Sequence, residues 1–209
     1  MGTATILAVL PELPLDAALR MATSRLDLAP LVPEDATDMF LVMEDPALGR
    51  WTGDAPPADA DELRTRYVGW ASRRSPSGDE LWLNWVVRRR GDDRAVGHLA
   101  ATVSETETAI AWIVGTAYQR QGVATEAARA LIAWLLEELG AISIVASIPA
   151  GHEASEGVAR SVAMRPTDRR DHGEVIWELD TRTYVRYHTL AISSPVTGTE
   201  VPGAPVKPT

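Results

Sequence analysis

The sequence predicts an α+β fold, with strands and helices in the order β-α-α-β-β-β-α-β-α-β-β. Three observations support this prediction. Residues 80–114 contain three alternating apolar strand segments in succession, separated by short polar turns. The last of these segments leads through a short turn into an amphipathic helix over 122–139. A continuous apolar strand follows over 141–148, which is typical of a strand buried on both faces of a sheet.

The composition is that of an ordinary globular protein. The chain has 209 residues, of which 45% are hydrophobic and 23% charged, enough for one domain with a full core. Its net charge of -9 argues against nucleic acid or an anionic membrane surface as the main partner. The absence of cysteine excludes disulfides, thiolate zinc sites and a cysteine nucleophile. No spacing of histidines and acidic residues predicts a metal site.

The first half of the chain is predicted to begin with an extension over 1–22. Its short apolar run has no basic flank and is too short for a signal peptide or a membrane span, so a cytoplasmic location is expected. The elements predicted next are a strand over 23–32, a helix over 33–43, a loop over 46–57, a helix over 59–74, and strands over 80–88, 95–103 and 110–114.

The second half continues from the helix at 122–139, which Gly140 is expected to terminate. A strand over 141–148, a helix over 155–163 and a hairpin over 164–180 complete the predicted domain, which spans 23–187. The tail over 188–209 is rich in Pro, Thr and Gly and is predicted to be disordered.

The turn before the helix at 122–139 has the chemistry of an anion site. It contains Gln119-Arg120-Gln121-Gly122-Val123-Ala124. The first N–H groups of a helix have no intrahelical partner, and the helix dipole favours negative charge there. Gly122 has no Cβ to keep a phosphate away from the main chain. Arg120 adds a positive charge suited to phosphate oxygens.

The pattern Gln-x-x-Gly-x-Ala in this turn resembles the pyrophosphate loop of the GCN5-related N-acetyltransferase (GNAT) superfamily. A second segment, from Ser24 to Ala36, is similar to the opening of the RimJ/RimL-like branch of that superfamily. The resemblance covers residues 23–180 and implies the acetyltransferase (GNAT) fold, a mixed central sheet flanked by helices. It also implies acetyl-CoA as the acyl donor.

The resemblance places the cofactor where two parallel strands, at 110–114 and 141–147, splay apart. Main-chain groups near Ile113 and Val114 are expected to pair with the pantetheine arm. The pyrophosphate is expected on the loop and the first helical turn, which comprise Gln119, Arg120, Gln121, Gly122, Val123, Ala124 and Thr125.

The segment over 148–159 resembles the family's Asn-x-x-Ser-x-x-Val sequence. Ser155 matches the serine, which the resemblance places near the cofactor sulfur as the acid that protonates the leaving thiolate. A helix N-cap is the alternative role of Ser155. His152 stands where asparagine is commonest. Three interpretations of His152 stay open, namely a hydrogen bond to the pantetheine arm, proton transfer, or a solvated loop residue.

The family often carries a glutamate base on its fourth strand, but the matching position here is Ala109. Glu107, two residues earlier, is the predicted replacement, and a solvated hairpin acid is the alternative. Trp51 and Tyr67 are predicted to bind the acceptor substrate. The alternative for Tyr67 and Trp70 is that both belong to the core.

The combined interpretation is an acyl-CoA-dependent N-acetyltransferase. It is expected to move an acetyl group from acetyl-CoA to a primary amine, on a small molecule or a protein N-terminus, by direct attack in a ternary complex. A monomer or homodimer is expected. The alternative function is a non-catalytic acyl-CoA-binding sensor or partner-binding module that keeps the fold. A nucleotide-binding protein is disfavoured, because the chain has neither a Walker Lys-Ser/Thr nor a Gly-x-Gly-x-x-Gly motif.

Overall fold

The computed structural model describes residues 19–52, 55–180 and Tyr184. Its strands are β1 (Met21–Ala22), β2 (Leu26–Pro30), β3 (Leu81–Arg89), β4 (Arg94–Val103), β5 (Thr108–Val114), β6 (Ile144–Ile148), β7 (Met164–Asp171) and β8 (Glu174–Leu179). Its helices are α1 (Ala36–Met43), α2 (Pro46–Thr52), α3 (Ala60–Trp70), α4 (Val123–Glu137) and α5 (Glu153–Ser161). Most of the predicted extension and all of the predicted tail over 188–209 lie outside the described residues.

The eight strands form one sheet in the order β1-β2-β3-β4-β5-β6-β8-β7. Each neighbouring pair is antiparallel except β5 and β6, which run parallel. The predicted α+β class with a mixed central sheet is therefore confirmed. Every helix in the described part of the chain falls short of the length and apolar character that a membrane crossing needs.

Two apolar clusters hold the helices against the sheet. The larger one joins α4 and α5 to one face of the sheet, with Trp85 and Leu131 almost fully buried. The Trp85 and Trp134 rings pack edge to face, with their centroids 5.6 Å apart. The smaller cluster joins α1 and α3 to β3 and β4, with Met39 and Tyr67 at its centre. Helices thus cover both faces, as the apolar stripes of the sequence require.

The packed domain starts earlier than residue 23. Leu19 is 2% exposed, and its carbonyl oxygen accepts a hydrogen bond of 2.7 Å from Trp85 Nε1. Met21 and Ala22 pair with β2 as a short edge strand. Residues 19–22, which the sequence analysis assigned to the extension, therefore belong to the fold.

Two local predictions are wrong. The segment predicted as a loop over 46–57 contains α2, because Pro46 suits the first position of a helix and the Asp45 carboxylate accepts a hydrogen bond of 2.9 Å from the Ala47 N–H. Helix α5 begins at Glu153 with His152 as its N-cap. Ser155 therefore lies inside the first turn and is not the N-cap residue.

Strands β5 and β6 separate soon after they meet. They pair only through Thr108 with Ile144 and through Ala109 with Val145. Beyond these pairs the edge of β5 has no neighbouring strand, so a cleft opens inside the sheet at the C-terminal end of β5. This is the splay that the family resemblance predicted for the cofactor.

Candidate functional site

The cleft between β5 and β6 leads into a groove with a volume of about 870 Å³. Its walls come from α2, the C-terminal end of β5, the start of α4 and the start of α5. The groove brings together most of the predicted site residues, namely Trp51, Ile113, Val114, Gln119, Arg120, Gly122, Val123, Ala124, Thr125, His152 and Ser155.

The open edge of β5 supplies backbone hydrogen-bonding groups. On the β6 side, the Thr108 N–H donates to the Ser143 carbonyl at 2.9 Å. In an antiparallel pair such as β4–β5, backbone groups point alternately toward and away from the partner strand. Counting from Thr108 in steps of two, the N–H and C=O groups of Trp112 and Val114 point into the cleft.

This alternation changes one predicted contact. Ile113 pairs with His98 and directs its backbone groups toward β4, although the residue lines the groove. Trp112, which was not among the predicted site residues, directs its N–H and C=O groups into the cleft instead. Backbone groups alternate in direction along a strand, but which residues face the cleft can be stated only once the pairing register is known. The Val114 carbonyl accepts a hydrogen bond of 2.9 Å from Gln119 Nε2.

The loop before α4 has an uncommon backbone conformation. Arg120 has φ +59° and Gly122 has φ +78°, both in the left-handed region. That conformation costs a non-glycine residue roughly 1–2 kcal/mol, whereas glycine adopts it readily. A left-handed Gly122 followed by the helical Val123 forms a concave set of N–H groups that suits an anion.

The structure shows a further reason for glycine at position 122. A Cβ on this residue would lie 3.3 Å from the Arg25 Nη2 atom, which stands outside the groove. The backbone conformation therefore favours glycine here, and access for a phosphate stays a prediction. Gln121 does not line the groove, and its side-chain amide donates to the Ala117 carbonyl at 3.1 Å.

His152 and Trp51 stack across the groove. Their ring centroids are 4.2 Å apart and their planes differ by 12°, so α2 and α5 meet through this pair. Burial lowers the pKa of His152, and the nearby Glu156 opposes that shift. The imidazole is therefore neutral at pH 7, with one ring nitrogen able to donate and the other able to accept. The stack on Trp51 and the partial burial favour a contact inside the groove over the alternative of a solvated loop residue for His152.

Tyr67 and Glu107 lie away from the groove. Tyr67 is 1% exposed inside the smaller apolar cluster and lies 5.5 Å from the Trp70 ring, so the core interpretation of Tyr67 holds. Burial raises the pKa of Tyr67.

Glu107 precedes β5 and accepts hydrogen bonds of 2.9 and 3.1 Å from Arg169 Nη2. At about 3.3 Å per strand residue, it is roughly 20 Å from Val114.

The residues of the groove fit a phosphorylated, amide-containing ligand. Open backbone groups of β5 can pair with amides, and the N–H groups at the start of α4 with Arg120 can hold phosphate oxygens. Glu153 is the one acidic side chain among the described residues of the lining. No set of three or more histidine or acidic side chains in the described ranges is arranged to hold a metal ion.

Residues 25–165 match the family model described as the acetyltransferase (GNAT) domain. A GNAT-family acetyltransferase from Bacillus anthracis is similar, with a TM-score of 0.60, 18% identity and coverage of 76% of this chain and 94% of that one. A GCN5-related N-acetyltransferase from Brucella melitensis has a TM-score of 0.63 at 17% identity, covering 81% and 84%. Mycobacterium smegmatis RimJ, in complex with CoA-disulfide, has a TM-score of 0.63 at 16% identity, covering 80% and 88%. No curated protein matches the sequence.

These similarities agree with the fold and with the groove. At identities below 20% the solved structures establish a shared architecture, and that architecture is the predicted acetyltransferase fold. The family model spans more than half of the chain. Acetyl-CoA is the acyl donor of that family, and the groove offers the groups that such a ligand needs. The chain belongs to the GNAT acetyltransferase domain family.

Proposed function

We propose that the protein transfers an acetyl group from acetyl-CoA to a primary amine, by direct attack of the amine in a ternary complex. The observation that carries the proposal is the open β5 edge beside the left-handed loop of α4, because the two line one groove. The RimJ/RimL-like opening over 24–36 and the similarity in fold to a RimJ structure support that branch of the family.

The pyrophosphate is assigned to the backbone N–H groups from Gly122 to Thr125 and to the Arg120 side chain. The pantetheine arm is assigned to the backbone groups of Trp112 and Val114. A carbonyl oxygen has two lone pairs, so Val114 can accept from both Gln119 and a pantetheine amide. His152 is assigned a hydrogen bond to the same arm, in its neutral form.

Bound acetyl-CoA supplies an activated acyl group, whose thioester carbon forms a bond to the amine nitrogen as the bond to sulfur breaks. Ser155 lies in the first turn of α5 and lines the groove. We therefore assign it the role of the general acid that donates a proton to the leaving sulfur. The position of the family's strand glutamate holds Ala109, which has no carboxylate, and Glu107 is paired with Arg169. We propose that the proton lost by the amine goes to water and that catalysis depends mainly on orientation.

The acceptor is proposed to be a small-molecule amine or a protein N-terminus. Trp51 lines the groove beside His152 and remains a proposed acceptor contact. Tyr67 is withdrawn from that role because it is buried in the core. A monomer or homodimer is proposed as the functional state.

A non-catalytic acyl-CoA-binding module is the second candidate. The specific observation in its favour is again Ala109, together with the ion pair that occupies Glu107. Such a protein would bind CoA through the same groove without releasing thiol.

The test is a thiol-release assay with acetyl-CoA against a panel of small amines and peptides with free N-termini. We expect release with at least one acceptor class. Loss of a general acid typically costs about 100-fold or more, so Ser155→Ala should lower kcat by roughly that factor with the KM for acetyl-CoA within about twofold. The control is Ser72→Ala, a serine two residues after α3 whose hydroxyl donates to the Gly69 carbonyl.

Two outcomes would change the proposal. CoA binding without turnover across the panel would favour the binding module. A Ser155→Ala variant with the wild-type kcat would remove Ser155 from the acid role.

A further inference from the structure

The Arg25 side chain connects the loop over 119–122 to the first turn of α4. Its Nε donates to Glu126 Oε2 at 2.6 Å, and its Nη2 lies 2.5 Å from the same oxygen. Its Nη1 donates to the Gln121 carbonyl oxygen at 3.0 Å. One guanidinium thus ties the peptide before Gly122 to the first turn of α4.

The Glu126 carboxylate is held in place by more than this ion pair. Its Oε1 accepts from the Thr23 hydroxyl at 2.5 Å and from the Arg25 N–H at 3.2 Å. Burial acts to raise the pKa of Glu126, but these hydrogen bonds outweigh it and the pKa is lowered. The Glu126 side chain is 19% exposed and that of Arg25 52%, so the half-exposed guanidinium is anchored on a carboxylate that is itself held by hydrogen bonds.

The bond to Gln121 determines where the next N–H points. The peptide between Gln121 and Gly122 is trans, as every peptide in the described chain is, so its C=O and N–H point in opposite directions. Because Arg25 holds the carbonyl on its own side, the Gly122 N–H is turned to the other side. Gly122 tolerates many conformations, so this peptide could otherwise rotate and present its carbonyl oxygen to an anion.

We propose that Arg25 is a positioning residue, which holds the Gln121–Gly122 peptide in the orientation that binds the pyrophosphate of acetyl-CoA. The inference rests on the proposed function of the loop. Arg25 does not line the groove itself but lines the neighbouring cavity, which shares Gly122 and Thr125 with it. We assign Arg25 an effect on the ligand through the loop rather than a direct contact. A single guanidinium reaches Glu126 and Gln121 together because its nitrogens form a planar fork, which a lysine ammonium does not provide.

The test is calorimetric titration of CoA and of pantetheine, which lacks the pyrophosphate, into the full chain. The variants are Arg25→Met, Arg25→Lys and, as a control, Arg90→Met. Arg90 forms a comparable exposed pair with Asp27 on the neighbouring strands, at 3.0 Å. We expect the Kd for CoA to rise about tenfold in both Arg25 variants and to stay within about twofold in Arg90→Met. The Kd for pantetheine should stay within about twofold in all three.

Three results would overturn the inference. Arg25→Lys with wild-type CoA affinity would show that charge alone matters, and equal losses for CoA and pantetheine would show a general structural role. Unchanged CoA affinity in both Arg25 variants would show no role at all. A wild-type protein without CoA affinity would instead refute the proposed function, so the two failures are distinguishable.

Discussion

The importance of Gly122 could be predicted from the sequence, but its conformation and its neighbour Arg25 could not. The sequence identified this glycine as important from its place before a helix. The physical reason became clear only with φ +78° and the position of Arg25, which is 96 residues from its hydrogen-bond partner Gln121. A contact at that separation leaves no local pattern, so Arg25 could not be predicted to act on the loop. Trp112 was missed for a similar reason, because backbone direction depends on the register of the sheet.

His98 gives the stability of the protein a specific pH dependence. It is buried on β4 with Nε2 3.1 Å from Asn84 Oδ1, and its ring lies 5.6 Å from that of Trp70. Burial lowers its pKa to about 4. An unfolded histidine has a pKa of about 6.5, so between pH 6.5 and 4 the unfolded chain binds a proton that the folded chain does not. The contribution of neutral His98 to the free energy of unfolding is therefore fully present above pH 6.5. It is lost as the pH falls from 6.5 toward 4.

The contribution of His98 is measured by urea unfolding at pH 7 and pH 5, in the wild type and in His98→Gln. Glutamine keeps an N–H donor and does not titrate. We expect the wild type to lose about 2 kcal/mol more than the variant between the two pH values. The same loss in both proteins would contradict this account of His98.

At the scale of elements, sequence patterns located every strand but β1, and four of the five α-helices, in the part of the chain that the structure describes. Helix α2 was missed because a short segment with Pro and Gly was interpreted as a loop, although Asp45-Pro46 is also a helix start. Helix α5 begins at Glu153, two residues before the predicted start. The His152 N–H donates to the Pro149 carbonyl at 3.0 Å, and this bond closes a turn directly before Glu153. The splay of β5 and β6 came from the family resemblance, since apolar strands alone do not indicate where their pairing ends.

Gly97 controls how closely β4 approaches the end of β5. A Cβ at this position would lie 2.4 Å from the Ile113 carbonyl oxygen, opposite Val114. Gly97→Ala must therefore displace β5 where it borders the groove. We expect a loss of about 1–3 kcal/mol in stability together with weaker CoA binding.

The matched control for Gly97→Ala is Gly91→Ala, since a Cβ on Gly91 would meet no atom within 4 Å. Urea unfolding and CoA titration compare the two variants. If Gly97→Ala is as stable as Gly91→Ala and binds CoA as tightly, the close approach of the two strands has no importance for the site.

At the scale of the whole molecule, the fold assembles the groove from three distant parts of the chain. These are α2, the β5–α4 connection and the start of α5. The sequence identified the last two by a pattern with a physical function, and it named Trp51 of α2 as a proposed acceptor contact without predicting the helix that carries it. The acceptor stays a proposal, since the shape and charge of an acceptor site come from side chains that share no motif. The domain limits of 23–187 are likewise proposed, and the fold itself extends the N-terminal limit to at least Leu19.

The most direct test of the central claim is a thermal-shift measurement with acetyl-CoA, CoA, ATP and NAD on the wild-type protein. A ligand at roughly 100 times its Kd adds about 2.7 kcal/mol of stability, which raises the Tm of a domain of this size by about 5–10 °C. We predict that rise with acetyl-CoA and CoA, and no comparable rise with ATP or NAD. Absence of a shift with both CoA species, or equal shifts with all four ligands, would contradict the assignment of the groove to acetyl-CoA.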